Sequence, residues 1–289
     1  MPEENLIGHN LHLNNFISLY NTNKLPTKIL LSGKKGIGKS LLVKHCLYEF
    51  FNDESSKLLL NKNTHPNVLN IKKKDDKKNI EIDQIREIIK FTNQSSFNNK
   101  LKFIIIDDVE SLNINSSNAL LKSLEEPNTN VHFILIFNSE MNISDTIRSR
   151  CLEFKIDLNL NDTKAIVDNY YNEKIYDNIS INLKNYYSTP KFLILLVTYF
   201  KNNNLSLSEI GINELIRNII DLKHYNKDFF IREYLNYIIE LFFYNHINVT
   251  KRISFKTKEY YYFKLSNIRK FNLDYETFFI EFKDKLLSE

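Results

Sequence analysis

Residues 29–40 read Ile-Leu-Leu-Ser-Gly-Lys-Lys-Gly-Ile-Gly-Lys-Ser. The whole chain has five glycines, and three of them, Gly33, Gly36 and Gly38, fall in this stretch. A protein so poor in glycine places it where the backbone has no alternative. The stretch fits G-x-x-x-x-G-K-[ST], the phosphate-cradling loop between a buried strand and a helix. Without a Cβ the loop turns sharply and aims its N–H groups at phosphate oxygens, and the helix that follows points its positive end at the same place. In that role Lys39 reaches the β- and γ-phosphates and the Ser40 hydroxyl sits on Mg²⁺. The plain alternative is a Gly/Lys-rich surface turn. It is far commoner for a lone glycine loop than for the full pattern with an apolar strand before it and the helical run Ser40–Leu47 after it.

Working outward, residues 11–20 space their apolar groups at helical intervals. A strand is expected over Lys28–Ser32 and another over Val68–Ile71. The charged run Lys72–Lys78 reads as a solvated hairpin turn, with phosphate binding a poor second. Asp83 is positioned to cap a helix over Gln84–Thr92, with Ile85, Ile88 and Ile89 on one face. The run Lys102-Phe103-Ile104-Ile105-Ile106-Asp107-Asp108 is a short apolar strand delivering carboxylates to its C-terminal end. A helix from Asn115 to Glu126 stops at Pro127, and Val131–Phe137 is a further buried strand. Strands alternating with helices imply an open parallel α/β sheet, with ligands beyond the carboxyl ends of the strands. The glycine loop and Asp107 both fall there. Beyond Cys151 strand-like runs largely disappear. Domain boundaries are expected near residue 156 and, more softly, near Asn202-Asn203-Asn204. The last eighty residues carry no chemical motif, and packing is their default role.

Composition narrows the class. A chain of 289 residues suits two or three domains. Net charge is only +4, so basicity alone does not argue for nucleic acid. The two cysteines, Cys46 and Cys151, suit a reducing cytosol and offer neither a disulfide framework nor a four-cysteine zinc site. No signal peptide is visible at Met1-Pro2-Glu3-Glu4, and the best apolar run, Phe192–Phe200, is too short to span a membrane. A cytoplasmic location is therefore expected.

Two further segments carry chemistry. Asp107 suits the task of holding Mg²⁺, directly or through water. Asp108 stands where hydrolysing proteins of this architecture often place a glutamate to position the attacking water. Aspartate is one methylene shorter, and a misplacement of ~1 Å can cost ~10²-fold in rate. Glu110 is a possible substitute, two residues further on. Nucleotide binding is expected, efficient hydrolysis is not. In Asp145-Thr146-Ile147-Arg148-Ser149-Arg150-Cys151, two of the chain's seven arginines lie on one short loop. A guanidinium there suits γ-phosphate charge. On the residues alone a surface salt bridge is the simpler reading.

Leu6-Ile7-Gly8-His9, Leu25-Pro26, the glycine loop, the helix Asn118-Ala119-Leu120-Leu121-Lys122-Ser123-Leu124-Glu125-Glu126-Pro127 and then Ser149-Arg150-Cys151 resemble the bacterial DNA polymerase III clamp-loader ATPases, which are AAA+ proteins. The resemblance covers residues 5–155. It implies an AAA+ domain at 1–155 with a five-stranded parallel sheet, a small helical lid at 156–204 and an all-helical collar at 205–289. The motor branch, gamma/tau, carries an Asp-Glu pair after the third strand and a four-cysteine zinc module, and this chain has neither; the delta-prime branch is the closer match. The resemblance implies that Arg150 serves as an arginine finger for a neighbour's ATP. It implies that Ile7, Gly8 and His9 lie beside the adenine, that Leu41 follows the phosphate loop in the nucleotide site, that Asn138 is the sensor-one residue, and that Lys191, in Ser188-Thr189-Pro190-Lys191, stands where a sensor-two arginine is usual. The cofactors implied are ATP and Mg²⁺, without zinc. The partners implied are gamma/tau and delta in a hetero-pentameric ring, with the sliding clamp and primer-template DNA reached through the complex, and no membrane. The Lys122 helix is a candidate DNA-facing surface. A motor ATPase and a structural ring subunit with a vestigial site are the rival functions. A nucleotide kinase would leave the Leu-Glu-Glu-Pro helix and Ser-Arg-Cys unexplained.

Overall fold

A computed structural model describes residues 5–74, 77, 79–125, 130–184, 189–207, 211–271 and 273–287. Glu126, Pro127 and Ser188 lie outside these, as do Asp75, Asp76 and Lys78 of the charged run. The chain divides into two compact units, Met1–Thr163 and Lys164–Glu289.

The first unit runs α1 (Asn10–Asn21), β1 (Lys28–Gly33), α2 (Lys39–Phe50), α3 (Glu54–Asn61), β2 (Val68–Ile71), α4 (Ile82–Asn93), β3 (Lys102–Ile106), α5 (Ile114–Glu125), β4 (Val131–Asn138), α6 (Asp145–Arg148) and β5 (Leu152–Lys155). The strands form one sheet in the order β2-β3-β4-β1-β5, and every pairing is parallel. The twofold period of the strands splits their side chains between two cores. Ile29, Leu31, Phe103, Ile105, Ile134 and Ile136 pack with α1 and α2 residues such as Phe16, Leu42 and Cys46. Leu30, Ile104, Ile106, Phe133, Leu135 and Phe137 pack with Ile85, Ile88, Leu120 and Leu124 of α4 and α5. Burial on both faces is why β1, β3 and β4 read as unbroken apolar runs. β5 is an edge strand with Leu152 55% exposed, so it lacks that signature, and residue patterning alone did not reveal it.

Several local readings are corrected. α4 is capped by Glu81 through a capping box with Gln84, and Asp83 instead pairs with Arg86 at 2.8 Å. Glu81 wins because its side chain closes on the backbone at the third helical position while Gln84 closes back on it. Ile89 is 48% exposed, whereas Ile85 and Ile88 are buried. The described part of 72–78 joins no hairpin, because Ile80 after it makes a parallel bridge to Leu112 and the sheet has no antiparallel pair among the described strands. α3 was not anticipated; Asp53 caps it by accepting from the Ser56 N–H at 2.8 Å.

The second unit continues from α7 (Leu160–Tyr171), within which the division falls, through α8 (Ile181–Lys184), α9 (Pro190–Asn202), α10 (Ile212–Asp221), α11 (His224–Lys227), α12 (Phe229–Tyr244), α13 (Phe255–Phe271) and α14 (Glu276–Phe282). Phe192, Leu196 and Phe200 of α9 share one apolar core with Ile216, Tyr234, Phe242, Tyr261 and Phe282. The compact division falls between Thr163 and Lys164, and one apolar core includes residues on both sides of Asn202-Asn203-Asn204.

Candidate functional site: a phosphate loop facing a carboxylate-tipped strand

The loop between β1 and α2 sits where the sheet order turns back, at the carboxyl ends of the strands. Gly36 and Gly38 hold φ values of +85° and +98°, a region that side chains with a Cβ avoid. Gly33 needs its missing side chain for another reason. A Cβ there would lie 2.3 Å from the Ile156 carbonyl oxygen and 2.7 Å from Ile37 Cδ1. The loop therefore takes a single course, ending with Gly38 as the residue before α2 and Lys39, Ser40 and Leu41 in the helix's first turn.

Lys39 is buried, and its Nζ donates to the carbonyls of Gly33 at 2.7 Å and Lys34 at 2.8 Å. Burial brings its ammonium down to about 8, against the opposing pull of Glu110, Asp107, Asp108 and Glu140. Across from it, the exposed Ser40 hydroxyl donates to Asp107 Oδ2 at 2.9 Å. Two residues far apart in sequence, both expected to meet one cation, are thus in direct contact. Burial pushes the Asp107 carboxyl above its usual range, and the charge of Asp108 beside it adds to this. Asp108 itself takes a left-handed conformation (φ 55°, ψ 50°) and donates its N–H to Asp107 Oδ1 at 3.1 Å.

Glu110 follows on a 3₁₀ turn, Val109–Ser111. Its Oε2 accepts the backbone N–H of Asn138 at 3.2 Å, linking the end of β4 to the turn after β3. Burial raises its carboxyl as well. Its charge acts on the Lys39 ammonium together with those of Asp107, Asp108 and Glu140. Asn138 is the last residue of β4, in register with Gly33, and its Oδ1 accepts from the Glu140 N–H at 3.2 Å.

His9 comes to the loop from the other side. It is 1% exposed, and its Nε2 lies 2.6 Å from the Ile37 carbonyl oxygen. That carbonyl can only accept, so Nε2 carries the proton. Gly8, before it, has φ +82°, and a Cβ there would strike Leu158 Cδ1 at 2.3 Å and Asp162 Oδ2 at 2.8 Å. Ile7 precedes it and is half-buried. Arg150 lies elsewhere in the first unit: its Nη1 donates to the Thr146 carbonyl at 2.9 Å and its Nη2 to Glu125 at 2.8 Å. Lys191 is an exposed residue at the start of α9 in the second unit.

Another cluster has the residue types of a hydrolase but not the geometry. His65 Nδ1 accepts the Asn67 N–H at 3.1 Å, so in the neutral ring Nε2–H faces Ser56 Oγ at 3.2 Å. Ser56 Oγ in turn donates to Asp53 at 2.9 Å. The imidazole has no lone pair left to take the hydroxyl proton, so the trio is structural.

Among the described residues no group of three or more His, Cys, Asp or Glu side chains is placed to hold a metal ion. Mg²⁺ does not require one, since it is usually bound by one or two carboxylates together with phosphate oxygens and water. Ser40 and Asp107 fit that donor set.

The sequence profile of the family described as DNA polymerase III, delta subunit, matches residues 8–159, more than half of the chain. The chain belongs to that clamp-loader family. Within it the character is delta-prime-like. The delta-prime subunit of Pseudomonas aeruginosa is 31% identical over 134 residues, 43% of this chain and 41% of that protein. The DNA polymerase III gamma subunit of Buchnera aphidicola (subspecies Acyrthosiphon pisum) is 32% identical over 136 residues, 45% of this chain and 38% of that one. Replication factor C subunit 3 of Schizosaccharomyces pombe is 27% identical over 154 residues, 53% of this chain and 41% of that one. The chain spans about two-fifths of the length of these relatives. Among solved structures, a gamma subunit-related protein of Thermotoga maritima superposes with a TM-score of 0.43 at 17% identity, covering 79% of this chain and 76% of that one. The RuvB Holliday junction branch migration motor of the same organism gives 0.43 at 15% identity, covering 75% and 78%. The clamp-loader family member described here thus combines an AAA+ P-loop domain, matched by the profile, with a second, helical unit beyond it. No helix among its described residues is long and apolar enough to cross a membrane.

Proposed function

We propose that this chain is a delta-prime-like subunit of a DNA polymerase III clamp loader, binding ATP with Mg²⁺ at a weakened site and supplying Arg150 to a neighbouring subunit's ATP. The observation that carries nucleotide binding is the 2.9 Å contact of Ser40 with Asp107 beneath the glycine loop. Gly33, Gly36, Gly38 and Lys39 would hold the phosphates, and Ser40 and Asp107 the Mg²⁺, whose charge would offset the carboxylates gathered there. Lys39, now donating to loop carbonyls, would turn to the β- and γ-phosphates. Asn138, held by Glu110, would stand at the γ-phosphate end. Ile7, Gly8 and His9 would lie beside the adenine, with His9 also bonded to the Ile37 carbonyl of the loop, and Leu41 would flank the nucleotide. Lys191, the lid at 156–204 and the collar at 205–289 belong to the same proposal, as do gamma/tau and delta partners in a pentameric ring, a sliding clamp, primer-template DNA and a cytoplasmic location.

Asp108 supports the weakened site, being shorter than the glutamate usual there and held by its own backbone turn. The similarity to gamma subunits keeps a motor ATPase as the second reading. A titration of the purified chain with a fluorescent ATP analogue and Mg²⁺ separates these. We expect binding that Lys39→Ala abolishes, and negligible turnover by the chain alone with or without primed DNA. Robust turnover favours the motor, and absence of binding by the unaltered chain favours a structural subunit. In the reconstituted loader, Arg150→Ala is expected to lower DNA-stimulated hydrolysis while leaving this chain's own nucleotide binding unchanged; an arginine finger is worth ~10³–10⁵ in rate at the site it serves.

A further inference from the structure

Arg148 and Arg150 stand two residues apart but are held differently. Arg148 lies 5.4 Å over the Phe137 ring and 3.8 Å from Glu153, anchored on its own sheet. Arg150 projects from the loop after α6, with its guanidinium shared between the Thr146 carbonyl and the Glu125 carboxylate. Glu125 is the last described residue of α5. Just before it, Lys28 Nζ donates to the Leu124 carbonyl at 2.9 Å. The Glu125 carboxylate is paired with Arg150 at 2.8 Å.

We infer that Glu125 is a positioning residue that holds the Arg150 guanidinium back on its own subunit and competes with a neighbour's phosphate for it. This rests on the assignment of Arg150 as a finger in trans. The side chains are 34% and 53% exposed, which places the pair in the class of weak surface bridges. Such a bridge is strong enough to set a resting position and weak enough for a triphosphate, with several charges, to displace. The Thr146 contact remains as a pivot, since guanidinium has five N–H donors and gives only part of them to these two acceptors.

The test uses the reconstituted loader and single-turnover ATP hydrolysis. Glu125→Gln keeps the shape and an acceptor but removes the charge. Because an interaction made in the transition state appears in the rate of the chemical step, the variant is expected to speed hydrolysis roughly two- to fivefold, with the half-saturating ATP concentration little changed. The gain should shrink at high salt, which already screens the wild-type pair. It should vanish in the Arg150→Ala background, where the double variant matches Arg150→Ala alone. A Glu125→Gln loader that is no faster, or slower, or one whose gain persists without Arg150, overturns the inference while leaving the finger assignment standing. If Arg150→Ala itself leaves hydrolysis unchanged, the finger assignment fails and takes this inference with it.

Discussion

At the residue scale the site depends on what is missing from Gly33. Its neighbours at 2.3 Å and 2.7 Å are a backbone carbonyl of the segment after β5 and the Ile37 side chain inside the loop. A carbonyl in a strand-following segment cannot swing aside as a flexible side chain can. Gly33→Ala is therefore expected to destabilise the protein by about 1–3 kcal/mol, the usual cost of overpacking, and to weaken nucleotide binding. Gly211→Ala is the control: nothing among the described residues lies within 4 Å of its Cβ position and its φ is −80°, so its cost should stay below about 1 kcal/mol. Urea denaturation of both variants checks the pair. The glycine loop, Lys39, Ser40 and Asp107 were legible in the sequence because each depends on local chemistry at a fixed spacing. Glu110 was only half legible. Its link to the end of β4 follows from the 3₁₀ turn and from the Asn138 N–H it accepts, which no spacing rule encodes.

At the element scale, legibility followed burial and capping. β1, β3 and β4 are apolar on both faces and were readable as runs, whereas β5, an exposed edge, was recoverable only through the family's five-stranded sheet. α5 is preceded by Asn113, whose side chain accepts the Ser116 N–H at 2.8 Å. Asn113→Ala should cost about 1 kcal/mol, as loss of an N-cap does, measured as a shift in the denaturation midpoint. In the second unit Phe200 of α9 is fully buried in the shared helical core. Phe200→Ala should cost about 3–5 kcal/mol by leaving a cavity, and the loss should appear in the helical signal on unfolding. Core packing continues across Asn202-Asn203-Asn204, where three asparagines close α9 while residues on both sides share one core.

At the scale of the whole molecule the histidines set an acid limit. Burial lowers the imidazoles of His12, His65, His132 and His246 below 6.5, their ordinary value. The unfolded chain then binds protons at pH values where the fold does not, so the neutral rings contribute stability that is fully present above about 6.5 and lost as pH falls through their folded values. His132, buried in β4 with its Nδ1 3.0 Å from the Pro26 carbonyl, is the most enclosed case in the sheet. Urea midpoints between pH 7.5 and 5 should fall, and His132→Gln should fall less steeply over that interval even if it starts lower. Equal slopes for the two proteins would remove His132 from the account.

The sequence by itself determined the phosphate loop, the parallel α/β character of the first unit and the family, because these rest on short-range rules: glycine where the backbone turns, apolar runs where strands are buried on both faces, and a motif order along residues 8–159. Only the tertiary structure decided that Ser40 touches Asp107, that Glu110 accepts the Asn138 N–H, that His9 supports the loop through Ile37, and that Arg150 lies on Glu125. Each of these joins residues from separate elements. Their meeting depends on sheet order and on the lengths of the connecting segments, and a chain read one residue after another does not express either.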